Sequence, residues 1–297
     1  MIDYPHLTSS AQKFVELNDS ERINKIRADR WVGYPLAQKY IKKLESLLSH
    51  PQKQRMPNLL IIGPTNNGKS MIIEKFKRLH LPVSCDDYEY IPVLSMQMPS
   101  DPSIIRFYTA LLASTGCPIT PKGRLADLEQ LALKVLRAIK IKVLIIDELH
   151  NILSGKPSVQ REFLNVLRYI GNELKISLVG AGIKDAYLAI QSDSQLENRF
   201  EPMILPRWEA NEEACSLLES FASSFPLKKK SYISSMEMAQ YLLSRCEGTI
   251  GELVTLLTRA SITAINNGEE CINEKTLKMT EYLGPTLRKR QFERSIA

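Results

Sequence analysis

The chain has 297 residues, 44% of them hydrophobic and 24% charged, with 39 Lys and Arg against 33 Asp and Glu for a formal charge of +6. That balance excludes a long disordered or low-complexity chain and leaves material for one large domain or two of ordinary size. The charge is mild, so it permits an anionic partner without demanding one.

No run of 18 apolar residues occurs, which argues against a membrane-spanning helix. The first residues, MIDYPHLTSSAQKF, lack the basic-then-apolar order of a secretory signal, so a cytoplasmic protein is expected. Cys85, Cys117, Cys215, Cys246 and Cys271 are odd in number, widely spread and without a CxxC pair, which reads as ordinary reduced thiols.

In chain order, residues 8–50 read mostly as helix. Phe14, Leu17, Ile23 and Ile26 recur at roughly helical spacing, followed by Leu36, Tyr40, Leu44, Leu47 and Leu48. PQKQRMP, 51–57, is a polar, proline-bounded connection. From there short apolar runs at 58–62, 90–95, 142–146 and 175–180, with a weaker one at 203–205, predict strands. Helical stretches fall between and around them at 69–79, 102–114, 124–139, 158–173 and 183–191. Such alternation, with continuously apolar strands, predicts an α/β domain whose parallel sheet is covered on both faces. After Pro206 only helical patterns follow, at 209–224, 234–246, 250–266 and 273–281, which predicts a smaller all-helical domain. The final stretch, GPTLRKRQFERSIA, is basic without an apolar face and reads as a mobile tail.

The stretch LLIIGPTNNGKS leads from a predicted strand into Gly63-Pro64-Thr65-Asn66-Asn67-Gly68-Lys69-Ser70, which matches G-x-x-x-x-G-K-[ST]. The spacing has a chemical reason. Loop N–H groups and the first turn of the next helix, through Met71, converge on phosphate oxygens, and the helix dipole favours negative charge there. Lys69 then reaches the β- and γ-phosphates of ATP, and the Ser70 hydroxyl ligates Mg²⁺. Asn66 stands where many such loops carry another glycine, and Asn is among the few residues that tolerate positive φ.

KVLIIDELHNIL delivers Asp147 and Glu148 at the end of an apolar strand, where parallel sheets bind their ligands. Asp147 is expected to hold Mg²⁺ and Glu148 to act as general base toward water. Read alone, the pair would equally serve to cap the next helix. The phosphate loop on an earlier strand favours the catalytic reading. Arg199, in QLENRFEPMILPRW, ends a helix before the last strand and is a candidate arginine finger for a neighbouring subunit. The residues alone are equally consistent with an ion pair to Glu197 or Glu201. CEGTIGELVTLLTRA, 246–260, opens a helix of the small domain, expected over the nucleotide.

This order of elements resembles the AAA+ ATPases. More narrowly, IRADRWVGYPLA, NLLIIGPTNNGKS, IPVLSMQMPSDPSIIRFYTALLASTGCP, VLIIDELHNIL and LENRFEPMILPRW resemble the TniB/TnsC group of transposition ATPases, over roughly residues 20–260. The resemblance implies an AAA+ P-loop fold with a five-stranded parallel sheet and a helical lid. It also implies an ATPase that assembles as a ring or filament on double-stranded DNA and recruits a DDE transposase of the TniA/TnsB type. Some members work with a TniQ-type targeting protein, and hydrolysis of ATP disassembles the polymer. The expected division is an N-terminal helical segment at 1–50, a nucleotide-binding domain at 51–206, a lid at 207–283 and the basic tail at 284–297.

The sequence departs from the AAA+ pattern at two places. Where sensor 1 is usually polar the chain has Ala181, with Ser177 earlier in the strand. Glu252 follows Gly251 in the lid helix and no arginine comes before Arg259, so a sensor 2 arginine is not evident. Both departures imply a slow switch rather than a motor. For DNA, the resemblance favours the loop TGCPITPKGR, with Thr120, Lys122 and Arg124 making sequence-independent phosphate contacts. The residues by themselves read as a solvated turn. Arg288, Lys289, Arg290 and Arg294 of the tail fit DNA, the transposase or plain solubility equally. Two other readings share the P-loop: a replication-initiator or clamp-loader ATPase, and a small-molecule kinase.

Overall fold

The computed structural model describes residues 4–117 and 124–296. The chain opens with α1 (Ser9–Gln12) and α2 (Asp19–Arg27), begun by caps in which Thr8 and Asn18 side chains accept from the N–H groups of Ala11 and Glu21. Helix α3 (Pro35–Ser49) leads to β1 (Asn58–Ile62) and α4 (Lys69–Leu79). A small antiparallel pair, β2 (Val83–Ser84) and β3 (Glu89–Tyr90), precedes β4 (Val93–Gln97), α5 (Ile104–Ser114) and α6 (Leu125–Ala138). Next come β5 (Val143–Asp147), a 3₁₀ turn (Leu149–Ser154), α7 (Pro157–Leu174), β6 (Ser177–Gly182), α8 (Lys184–Gln191), α9 (Ser194–Glu197) and β7 (Phe200–Ile204). Five helices finish the chain: α10 (Glu212–Ser224), α11 (Met236–Arg245), α12 (Ile250–Asn266), α13 (Glu274–Met279) and α14 (Pro285–Ile296).

Two compact units result. One is Leu36–Pro206. Its sheet runs β4-β5-β6-β1-β7, and every neighbouring pair is parallel. The central strands are apolar at successive positions because helices cover both faces, and Leu60, Ile61, Leu144 and Ile145 are fully buried. Phe107, Tyr108, Phe163 and Leu167, from the covering helices, complete that core. The β7 edge is held by α3: Tyr40 Oη donates to Ile204 O at 2.6 Å, and Lys43 pairs with Glu201. Parallel strands end together, so Ile62, Gln97, Asp147, Gly182 and Ile204 share one edge of the sheet.

In the other unit the residues through Pro35 join those from Arg207 onward. Helix α2 packs on α12, whose Leu253, Leu256, Leu257 and Ala260 are fully buried. Arg22 of α2 is buried as well. Its guanidinium donates to Pro226 O at 3.1 and 2.9 Å and pairs with Glu270. The expected segment 1–50 is therefore divided between the two units. Contacts to residues 204 and 164 positions away decide this, and no local periodicity encodes them.

The expected mobile tail is instead helix α14. Pro285 sets its first turn, Glu247 Oε1 accepts the Thr286 N–H at 2.7 Å, and Arg288 Nη2 donates to Glu252 Oε1 at 2.6 Å. None of its residues is buried, so anchoring at one end replaces the apolar face that the sequence lacks.

Candidate functional site

Strand β1 hands the chain to the glycine-bounded loop at the shared sheet edge, and α4 begins at Lys69. Two residues turn the loop through left-handed backbone: Asn66 with φ 59° and Gly68 with φ 87°. Gly68, the N-cap of α4, accepts that conformation without strain, and Asn66 does so at small cost. The Asn67 side chain is buried and donates to Leu205 O at 3.1 Å and Pro206 O at 2.8 Å. It clamps the loop to the chain leaving β7, a role the motif does not specify.

Lys69 is 6% exposed, and its Nζ donates to Gly63 O and Pro64 O, both at 2.8 Å. Burial lowers the pKa of its ammonium, against the opposing pull of the Asp147 and Glu148 carboxylates. Pro64 is half-buried, while Thr65, Asn66, Ser70 and Met71 are exposed along the mouth of the loop. Ser70 Oγ donates to Asp147 Oδ2 at 3.0 Å. Asp147 Oδ1 accepts the Glu148 N–H at 2.8 Å, so one carboxylate ties the helix start to the strand end.

Glu148 sits in left-handed backbone, φ 56° and ψ 36°, a conformation that costs a residue with a Cβ about 1–2 kcal/mol. Its side chain makes no capping bond to the turn that follows, so the capping alternative is not realised. The carboxylate instead lies 3.3 Å from His150 Nε2. No motif marks His150; its signal in the sequence is its place two residues beyond the Asp-Glu pair.

Arg199 stands at the opposite edge of the sheet, where Asn58 N donates to its carbonyl at 3.0 Å. The guanidinium donates to Asn172 Oδ1 at 2.8 Å, whereas Glu201 pairs with Lys43 and Glu197 accepts from Gln191. Burial, then Arg55 and Arg168, lower the pKa of Arg199, with Asp193 opposing. A cavity of about 490 Å³ beside it is lined by His50, Lys53, Arg55 and Asn198 among others. Strands of five residues rise about 3.3 Å per residue, which separates Arg199 from its own phosphate loop by roughly 15 Å or more.

Arg124 is exposed at the N-cap of α6, while Thr120 and Lys122 lie outside the described residues. Ala181 and Ser177 are both buried in β6. Glu252 is buried and accepts from Tyr282 Oη at 2.8 Å and from Arg288, which makes it an anchor within its own unit.

The sheet order and the strand-loop-helix at its edge define the class: this is an AAA+ fold. The ORC2 protein of Aeropyrum pernix, solved as ADPNP-ADP complexes, matches with TM-score 0.61 and 15% identity, over 86% of this chain and 70% of that one. The Aeropyrum pernix ORC1 protein in complex with DNA gives TM-score 0.61 and 16% identity over 87% and 68%. Drosophila ORC bound to DNA gives 0.57 and 13% over 95% and 69%. At these identities the likeness is one of fold. The family described as Bacterial TniB protein matches residues 22–210, well over half of the chain, and the chain belongs to that family. A search among curated proteins returned no match. Among the described residues no helix is long and apolar enough to cross a membrane.

Proposed function

We propose that the protein is an ATP-dependent, DNA-associated AAA+ ATPase that serves transposition. The observation that carries this reading is the Ser70–Asp147 contact, which brings the loop of β1 and the strand end of β5 into one site. Membership of the TniB family supplies the biological setting.

In this reading Gly63 to Met71 cradle the phosphates of ATP, with Lys69 leaving its two loop carbonyls for the β- and γ-phosphate oxygens. The Ser70 hydroxyl and Asp147 carboxylate are hard oxygen donors that suit Mg²⁺, which neutralises phosphate charge when bound. Among the described residues no group of three or more His, Cys, Asp and Glu could hold a metal. A cation here would share two protein oxygens with phosphate and water, the usual habit of Mg²⁺ at nucleotides. Glu148 takes a proton from the water that attacks the γ-phosphorus, leaving ADP and phosphate.

Arg199 acts on the nucleotide of a neighbouring copy, because its own lies at the far edge of the sheet. That requirement makes the working form an oligomer, a ring or a filament. Double-stranded DNA is the proposed template, contacted by Thr120, Lys122 and Arg124, and the neighbours solved with DNA lend support by their shared fold. The polymer then recruits a DDE transposase of the TniA/TnsB type, with a TniQ-type targeting protein as a further partner. Hydrolysis releases the assembly.

The test is electron microscopy of the protein with duplex DNA and a non-hydrolysable ATP analogue, paired with ATP turnover with and without DNA. Ordered nucleotide-dependent polymers and DNA-stimulated turnover are expected. Turnover indifferent to DNA, with no assembly, would sink the proposal.

A further inference from the structure

We propose that His150 is the positioning residue for Glu148, holding one carboxylate oxygen so that the other faces the attacking water. The inference rests on Glu148 being the general base, as proposed above. It starts from a ring that the assigned machinery leaves unused. His150 lies in the 3₁₀ turn directly after β5, its side chain 20% exposed, with Nε2 3.3 Å from Glu148 Oε2.

Its other nitrogen decides the tautomer. His150 Nδ1 is buried and has no hydrogen-bond partner among the described residues. A buried N–H without an acceptor is rarer in folded proteins than a buried lone pair without a donor. The proton therefore belongs on Nε2, the nitrogen with the carboxylate in reach. The ring fits there because β6 ends in Gly182. A Cβ at Gly182 would stand 3.0 Å from His150 Nδ1 and 2.8 Å from Ala186 Cβ.

Among the described residues nothing else holds the Glu148 carboxylate. The backbone N–H of Glu148 is taken by Asp147, and its side chain forms no cap. A glutamate side chain with three rotatable bonds loses much of its effectiveness as a base unless one conformer is selected. At 3.3 Å the two atoms are within reach but do not form an aligned hydrogen bond, a geometry of the kind that tightens when substrate completes the site. Ala181 and Gly182, at the end of β6, present no polar side chain that would do this work.

The experiment uses the full chain with duplex DNA, measuring steady-state ATP turnover alongside equilibrium binding of a fluorescent ATP analogue. His150→Ala is expected to lower kcat about ten- to a hundredfold and to change nucleotide affinity by less than about twofold. His150→Gln, whose amide nitrogen reaches toward the Nε2 position, is expected to recover most of the turnover. His150→Asn, which places its amide nearer Nδ1, is not. Wild-type kcat in His150→Ala, or equal turnover in the Gln and Asn variants, overturns the inference. If His150→Ala is insoluble, the Gln and Asn pair decides alone. Glu148→Gln separates the two levels. Normal turnover there removes the general-base reading itself, whereas a dead Glu148→Gln beside an intact His150→Ala removes only the role of His150.

Discussion

The Ser70 hydroxyl donates to Asp147 Oδ2 across 3.0 Å, although their strands β1 and β5 are not neighbours. Strand β6 lies between them, a span of two strand spacings or about 10 Å. The first turn of α4, a helix that packs against β6, reaches over that gap. Two hard oxygens thus meet at the mouth of the loop. Ser70→Ala is expected to weaken binding of ATP with Mg²⁺ by about tenfold or more while barely altering binding in EDTA. Titration calorimetry under both conditions checks this, and equal losses in both would detach Ser70 from the metal.

Lys69 bonds two carbonyls of its own loop, and burial lowers the pKa of its ammonium. Bound phosphate would oppose that shift, so the ammonium has more to gain from ATP than an exposed lysine would. Lys69→Ala is expected to cost about 2 kcal/mol or more in nucleotide binding, roughly thirtyfold in affinity. Retained affinity in a fluorescent-nucleotide titration would falsify the assignment of the loop.

Elements whose signal is local are legible in the sequence. Helices α4 and α12 occupy the spans predicted for them, 69–79 and 250–266, because a glycine-bounded start or a long apolar stripe marks each. All five sheet strands lie at or close to the predicted runs, since continuous burial writes continuous apolar residues. The pair β2–β3 is not legible there, as strands of two residues carry no period. Strand β4 starts at Val93, just after Pro92, rather than at 90, because Tyr90 belongs to that small pair. At the candidate site the motif names the residues but not their supports. The Asn67 clamp depends on where β7 ends, 138 positions away, and the His150 contact on a side-chain direction that no spacing rule contains.

Arg199 stands at the opposite end of β1 from its own phosphate loop, so the proposed finger role requires the nucleotide of another copy. Arg199→Ala is expected to keep the ATP affinity of isolated subunits and to lose turnover in DNA-bound assemblies by about a thousandfold, the lower range for an arginine finger. Mixing provides the sharper measurement. A subunit with Arg199→Ala and one with Glu148→Gln, each inactive alone, should regain part of the turnover together, since an intact base then meets an intact arginine. Absence of complementation in co-assembled mixtures would remove Arg199 from the trans role.

Arg22 and Glu270 join α2 to the turn after α12 through a pair that is nearly out of solvent, with side chains 0% and 13% exposed. Burial alone would raise the Glu270 pKa, but hydrogen bonds from Arg22 and the Lys228 N–H outweigh it and leave the carboxyl below its ordinary value. Glu270→Gln deprives a buried guanidinium of its principal carboxylate and is expected to cost about 3 kcal/mol at neutral pH. A lower urea midpoint at unchanged slope would report it. The sign of the pH dependence follows from the depressed pKa. The folded protein binds the Glu270 proton less readily than the unfolded chain, so the pair's contribution is complete above the unfolded value, near 4.5, and is lost as pH falls through the folded one. The stability gap between wild type and Glu270→Gln should therefore stay constant from neutral pH to about 4.5 and close below it. A gap that persists undiminished at pH 3 would mean that the charge on Glu270 contributes nothing, and that shape alone holds α2 in place.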